Sequence, residues 1–400
     1  MKLTQIQKLL LSNFLTGLIF WYGIEKLFMA SIGIDEVGVG LVAAVALISG
    51  LLLDVPTGIL ADKWSRKGTL ILGSVSLALC SLLAGSSPGL AVYAISMLLY
   101  GLYDVLVEGS YQAVVYDTLR EEKRTEEYSR MIGWAYGLFL VGAGVANVAS
   151  GFIAEAWSFE ATYYLSLIPC ALNIMLLLTM REPQYHQLER KERIIRELGK
   201  ATKNILHIRL LRILTIIMIS LSLMELFKAD FGQLYILRYT NDAALVGILW
   251  AVYAFMWALG SIIAHRLRTR LTPLIIASTL PLILIGLVDH WFGLVIFAVQ
   301  IVASSALDNQ IETRIQENTP SSVRASLLST VTAAGTAASI PMSFLLGWAF
   351  RDLGGFRAVQ IMAVLGAAVL LYWLLVGRKA LHADDKLLAE PGILPVLTKD

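Results

Sequence analysis

The sequence predicts an all-α membrane protein of twelve transmembrane helices, arranged as two six-helix pseudo-symmetric bundles. Three observations predict it. Of 400 residues, 57% are hydrophobic and only 16% charged, where a soluble domain is roughly half apolar and a quarter charged; mean hydropathy is +0.70. Apolar runs recur along the whole chain, each near the roughly 20 residues that a helix needs to cross the hydrocarbon. The runs are continuous and do not alternate with period two, which selects helices over barrel strands.

Taken in order, the spans fall at residues 10–33, 38–60, 69–86, 89–117, 130–154 and 162–180, then 209–238, 243–264, 272–288, 291–312, 325–350 and 355–377. The first six form an N-terminal bundle within 1–180, and the last six a C-terminal bundle within 209–378. Between them, residues 181–208 are polar and helix-prone. Leu188, Ile194, Ile195 and Leu198 recur there at roughly helical spacing, which reads as an amphipathic helix on the membrane surface. The tail, 379–400, is polar and carries Pro391 and Pro395, a composition without the apolar content to pack.

Lys and Arg sort the loops into two sets. One set holds Lys63, Arg66 and Lys67, then Arg120, Lys123, Arg124 and Arg130, then Arg266, Arg268 and Arg270, then Arg314 and Arg324, with nine more between 181 and 212. The other set is sparse in basic residues, with Arg351 and Arg357 its main ones. The basic set belongs on the cytoplasmic side, so both termini are cytoplasmic and the protein is a multi-pass resident of a plasma (inner) membrane. No cleavable leader is evident; the opening residues run into a full-length span.

Composition also excludes chemistries. Cys80 and Cys170 lie inside apolar runs and read as buried small hydrophobes. The five histidines show no ligand spacing and neither Cys is near one, which argues against zinc. No phosphate-cradling G-x-x-x-x-G-K-[ST] occurs, so no built-in ATPase motor is expected. The basic loops serve topology, not nucleic acid. The sequence implies no enzyme activity and no bound cofactor.

The loop after the second span is the most specific stretch. Gly58-Ile-Leu-Ala-Asp62-Lys-Trp-Ser-Arg66-Lys67 packs Asp62, Lys63, Arg66 and Lys67 into six residues between two apolar runs. It resembles the G-x-L-A-D-R-x-G-R-K loop of major facilitator superfamily transporters, with Ser65 where that family has Gly. The resemblance extends to length, span count and central loop. It implies a monomeric secondary carrier for a small molecule, working by alternating access, with the first, fourth, seventh and tenth spans lining a cavity. It also implies that Gly58, Asp62, Arg66 and Lys67 form a gating loop, with Arg66 paired to Asp117 at the end of the fourth span. The fifth span gives Gly133-x8-Gly142-x3-Ala146-Asn147-x2-Ser150-Gly151, similar to a drug-antiporter motif but with its Gly-Pro pair replaced. A close-packed seam of small residues explains it equally well. The arginine that such antiporters carry in the fourth span is Val105 here.

Charges at bilayer depth are costly and mark function. Asn13, Gly17, Trp21, Glu25 and Met29 share one drifting helical face of the first span. Asp104 and Glu108 are four apart on the fourth span with Tyr100 and Tyr111 close to their face, and Asp308 and Glu312 repeat that spacing on the tenth. Glu225 and Lys228 are three apart on the seventh, spaced for an ion pair. Two carboxylates on neighbouring turns in a low dielectric oppose each other's ionisation, so one holds a proton near neutral pH. A net acidic cavity with Trp21, Tyr22, Tyr103, Tyr111 and Phe227 nearby favours a cationic or zwitterionic compound. The expectation is proton-coupled efflux, with the proton as coupling ion. The alternatives are uptake of a nutrient or organic anion, should Lys26 and Lys228 face the cavity, and a non-transporting scaffold.

Overall fold

The computed structural model describes residues 3–183, 209–267, 271–317, 319 and 324–378, without the side chains of Asp62 and residues 324–326. Most of the expected linker helix (from 184 on) and the expected tail lie outside the described residues. No strand occurs among them. Among the described residues ten helices are long and apolar enough to cross a membrane, and Leu271–Leu287 is a shorter apolar helix.

The remaining span is the first, and it departs from expectation. In place of one helix over 10–33, the chain forms α1 (Gln5–Gly17), a 3-10 turn at Tyr22–Ile24 and α2 (Glu25–Ser31). The physical reason lies in what it packs against. A Cβ on Gly17 would lie 2.3 Å from the Phe139 carbonyl oxygen, and one on Gly23 would lie 2.3 Å from Ser150 Oγ. The broken backbone is seated directly on its neighbour. The amide of Phe20 donates to Ser166 Oγ at 2.9 Å, so part of the break is satisfied by a side chain.

The chain divides into two compact units. The first comprises Met1–Leu188 with Asp230–Phe255 and Ser343–Asp352. Its further helices are α3 (Glu36–Lys63), α4 (Arg66–Gly85), α5 (Leu90–Glu121), α6 (Tyr128–Ala156) and α7 (Phe159–Leu178). Side chains of Thr4, Asp35, Ser65 and Ser158 cap α1, α3, α4 and α7, each accepting from a backbone amide of the first turn. Lipid tails are as apolar as leucine, so helices in a bilayer associate through close packing and polar contacts. Both are present. Gly142 of α6 sits against Phe14 and Gly17, Trp21 Nε1 donates to Ser81 Oγ at 3.0 Å, and Asn173 Nδ2 donates to Ser74 Oγ at 2.9 Å. Cys80 and Cys170 are buried in this unit as free thiols. Leu52, Ile95, Val141, Phe152 and Met175 are exposed, as suits a lipid-facing surface.

The same unit takes in α9 (Gly232–Leu237), the start of α10 (Ala243–Ile263) and the end of α13 (Arg324–Trp348). Glycines set these approaches. A Cβ on Gly151 would lie 2.1 Å from the Ala243 oxygen, and one on Gly40 2.4 Å from the Ser343 oxygen. Gly354, at φ 85°, is in the left-handed region that favours glycine and turns the chain into α14 (Gly355–Tyr372).

The second unit comprises Glu189–Ala229, Met256–Met342 and Leu353–Asp400. It holds α8 (Arg209–Leu226), α11 (Leu271–Leu287), α12 (Gly293–Glu317), α14 and the remaining parts of α10 and α13. Buried polar groups tie it together: Trp373 Nε1 to Thr272 Oγ1 at 3.1 Å, Gln310 Nε2 to the Ala264 oxygen at 2.7 Å, and Ser261 with Ser305 at 2.8 Å. Between α8 and α9 the chain passes through a π-helical turn, Phe227–Phe231.

Candidate transport site

The loop Trp64–Ser65 joins α3 to α4. Ser65 replaces the glycine of the resembling pattern, and its Oγ accepts from the Gly68 amide at 2.6 Å as the N-cap of α4. Glu182, just beyond α7, completes the cap. Its Oε2 accepts from Ser65 Oγ at 2.6 Å and its Oε1 from the Arg66 amide at 2.9 Å. A carboxylate at a helix N-terminus is favoured by the helix dipole. Lys67 Nζ donates to the Met180 oxygen at 2.6 Å and the Leu178 oxygen at 3.2 Å, holding the C-terminal end of α7. Arg66 Nη1 reaches Asp117 Oδ2 of α5 at 2.5 Å, with Asp117 buried. Gly58 is exposed with open space around its Cα. The side chain of Asp62 lies outside the described residues, as does most of the segment leading into α13.

The charged residues of the first span form a second cluster. Glu25 Oε2 accepts from Lys26 Nζ at 2.7 Å, and Glu25 Oε1 accepts from Tyr93 Oη at 2.9 Å. Tyr93 Oη is 2.9 Å from Tyr163 Oη. Lys26 is only 2% exposed and lies 4.0 Å from Asp230 Oδ1. Its backbone amide donates to Gln233 Oε1 at 3.0 Å, and Gln233 Nε2 donates back to the Tyr22 oxygen at 2.5 Å.

Several expected cavity residues lie elsewhere. The shared face of Asn13, Trp21 and Glu25 presumes a continuous helix, and the break after Gly17 removes it. Trp21 is 1% exposed and stacks on Tyr163 with ring centroids 5.2 Å apart. Asn13 Nδ2 donates to the Ala135 oxygen at 2.9 Å, and the buried Tyr111 donates to the Leu9 oxygen at 2.9 Å. These three pack within the first unit. Tyr103 and Phe227 are also buried.

Asp104 and Glu108 are different. Both are exposed, near the middle of the 32-residue α5. Tyr100, one turn before Asp104 and half-buried, has its ring 6.1 Å from Tyr22 and 5.9 Å from Tyr103. An aromatic patch therefore lies one turn from Asp104 at bilayer depth.

In the second unit, Glu225 and Lys228 form an ion pair, with Lys228 buried. Asp308 and Glu312 on α12 are half-buried, and the Asp308 carboxylate interacts electrostatically with Glu225, Lys228 and Glu312. Glu312 also accepts from Gln316 Nε2 at 3.0 Å.

Glu182, Tyr93 and Gln233 are participants that sequence reasoning did not assign. Glu182 and Gln233 act across more than 100 residues of chain, and no local pattern announces such a contact.

A family model described as Major Facilitator Superfamily matches residues 9–288. No curated protein matches the chain. Among solved structures, the nucleoside transporter NupG is similar with a TM-score of 0.76 at 15% identity, covering 94% of this chain and 99% of its own. A D-xylose-proton symporter gives 0.72 at 14% identity over 92% and 97%. A bacterial homolog of the human lysosomal transporter Spinster, inward-facing and occupied, gives 0.69 at 14% over 94% and 96%. At such identities the likeness concerns the fold.

Proposed function

The chain belongs to the Major Facilitator Superfamily and is a multi-pass secondary transporter, and from that premise we propose that it exports small cationic or zwitterionic compounds in exchange for protons. One observation carries this reading. Asp104 and Glu108 are exposed at mid-helix, with Tyr100 one turn before Asp104 and its ring 6.1 Å from that of Tyr22, whereas Lys26 and Lys228 are 2% and 5% exposed and each paired to a glutamate. The exposed mid-helix charges of α5 are acidic, and an aromatic patch near Asp104 adds cation–π attraction. Anion recognition by the two lysines loses support by the same observation.

The coupling follows from charge. A carboxylate pair that binds either a proton or an organic cation cannot hold both fully, so the two compete. Alternating access then converts an inward proton gradient into outward movement of the cation. The loop distribution of Lys and Arg supports cytoplasmic termini in a plasma (inner) membrane, and Arg66–Asp117 supports a gating role for the α3–α4 loop. We take the working unit to be a monomer.

The test is flux in proteoliposomes under an imposed pH gradient, with a panel of lipophilic cations. Asp104→Asn/Glu108→Gln is expected to abolish the pH dependence of transport; a pH profile equal to wild type would remove the pair as the coupling site. Proton-coupled nutrient uptake is the second reading, suggested by the nucleoside transporter and D-xylose-proton symporter among the fold relatives. Accumulation of a nutrient with the gradient, and no cation flux, would put it first.

A further inference from the structure

The second unit contains a cluster whose chemistry the ion pair alone does not account for. Lys228 Nζ lies 4.1 Å from the centroid of the Trp257 ring, over its face, and pairs with Glu225 Oε2. Asp308 of α12 is close enough to feel both charges. Two segments thus meet at one ammonium, the end of α8 with its π turn and α10 through Trp257, and Asp308 of α12 adds a second carboxylate within electrostatic reach. Two carboxylates and an aromatic face are what recognises an organic cation.

Two further features separate this cluster from a structural ion pair. Lys228 sits in the π-helical turn Phe227–Phe231, one of three such turns among the described residues and an irregularity frequent at functional sites. Glu225 Oε1 is enclosed and accepts no hydrogen bond, although the cation beside it has donors to spare. An i,i+3 pair made for helix stability needs neither an aromatic face nor burial. The cluster is also open on one side: Trp257 is 39% exposed, as is the Glu225 side chain.

We propose that Glu225, Asp308 and Trp257 form a cation site in which the ammonium of Lys228 is a tethered occupant, displaced by the primary ammonium or guanidinium group of a ligand. The four-carbon stem of lysine is flexible. A displaced Lys228 can turn toward Asp308 or toward Glu312 one turn further along α12, so no charge is stranded. This deepens the cation reading and rests on it for the physiological ligand; the binding itself is measured without transport.

The experiment removes the tethered cation and returns it free. Full-length Lys228→Ala is purified in detergent and its thermal unfolding midpoint followed against n-propylammonium, the severed end of the side chain, at constant ionic strength. The expected result is a saturable rise in midpoint, half-complete at a concentration at least tenfold lower than any rise in wild type, and absent in Lys228→Ala/Glu225→Gln. No rise, an equal rise in wild type, or a rise that survives in the double variant would overturn the proposal. Lys228→Gln keeps a donor to Glu225 and serves where the alanine variant does not fold. There methylammonium is expected to shift the midpoint while leaving wild type unmoved, and equal shifts would refute the site. A positive result with no cation flux in proteoliposomes would leave the site standing and defeat the export reading alone.

Discussion

Asp117 and Arg66 show what a single pair can decide. Asp117 is buried and Arg66 is 20% exposed on its side chain, so removing one partner leaves the other charged and poorly hydrated. Asp117→Ala is expected to destabilise the protein by about 3 kcal/mol, and Arg66→Met/Asp117→Leu to recover most of that loss. Chemical unfolding of both variants in detergent checks it; equal losses would show that the charges themselves are not the cause. This pair was legible from the sequence through the resemblance of its loop. Glu182 was not, because its partners Ser65 and Arg66 lie more than 100 residues away. Trp21 was misplaced for a different reason. Its expected face followed from a spacing of four residues, and spacing defines a face only while the helix continues.

Helix α6 carries the clearest contrast between elements that touch and elements that do not. The span resembling an antiporter motif places Gly142 and Gly151 against other backbones, while Gly133 and Gly144 have open space where a Cβ would go. The motif therefore divides into contact glycines and unconstrained ones. Gly17→Ala, at the crossing of α1 and α6, is expected to cost about 2 kcal/mol through overpacking. Gly144→Ala is expected to leave stability unchanged or raise it by up to about 1 kcal/mol, since alanine is the better helix former. Thermal unfolding of the two variants side by side decides this, and equal effects would refute the division. Helix positions were readable from the apolar runs because bilayer thickness fixes their length. The break in the first span was not. It depends on Phe139 and Ser150, which the local sequence does not contain.

For the whole molecule, the loop charges make a topological statement. The basic residues gather in alternate loops, so a C-terminal fluorescent reporter that matures only in the cytoplasm is expected to be bright, and a phosphatase active only outside to be silent. A silent reporter with an active phosphatase would invert the orientation. Span count and the central polar segment lead to the expectation of two six-helix halves, 1–180 and 209–378. The regrouping of Asp230–Phe255 and Ser343–Asp352 with the N-terminal helices was not legible, because the glycine approaches that bring it about are written in carbonyl positions. The two native thiols offer a final consequence. Cys80 and Cys170 are 0% and 4% exposed, so water-soluble maleimides should pass both by in the folded protein. Spin labels or fluorophores can then be attached at single introduced cysteines without first stripping the chain of its own, which makes distance spectroscopy on the transport cycle available in the natural background.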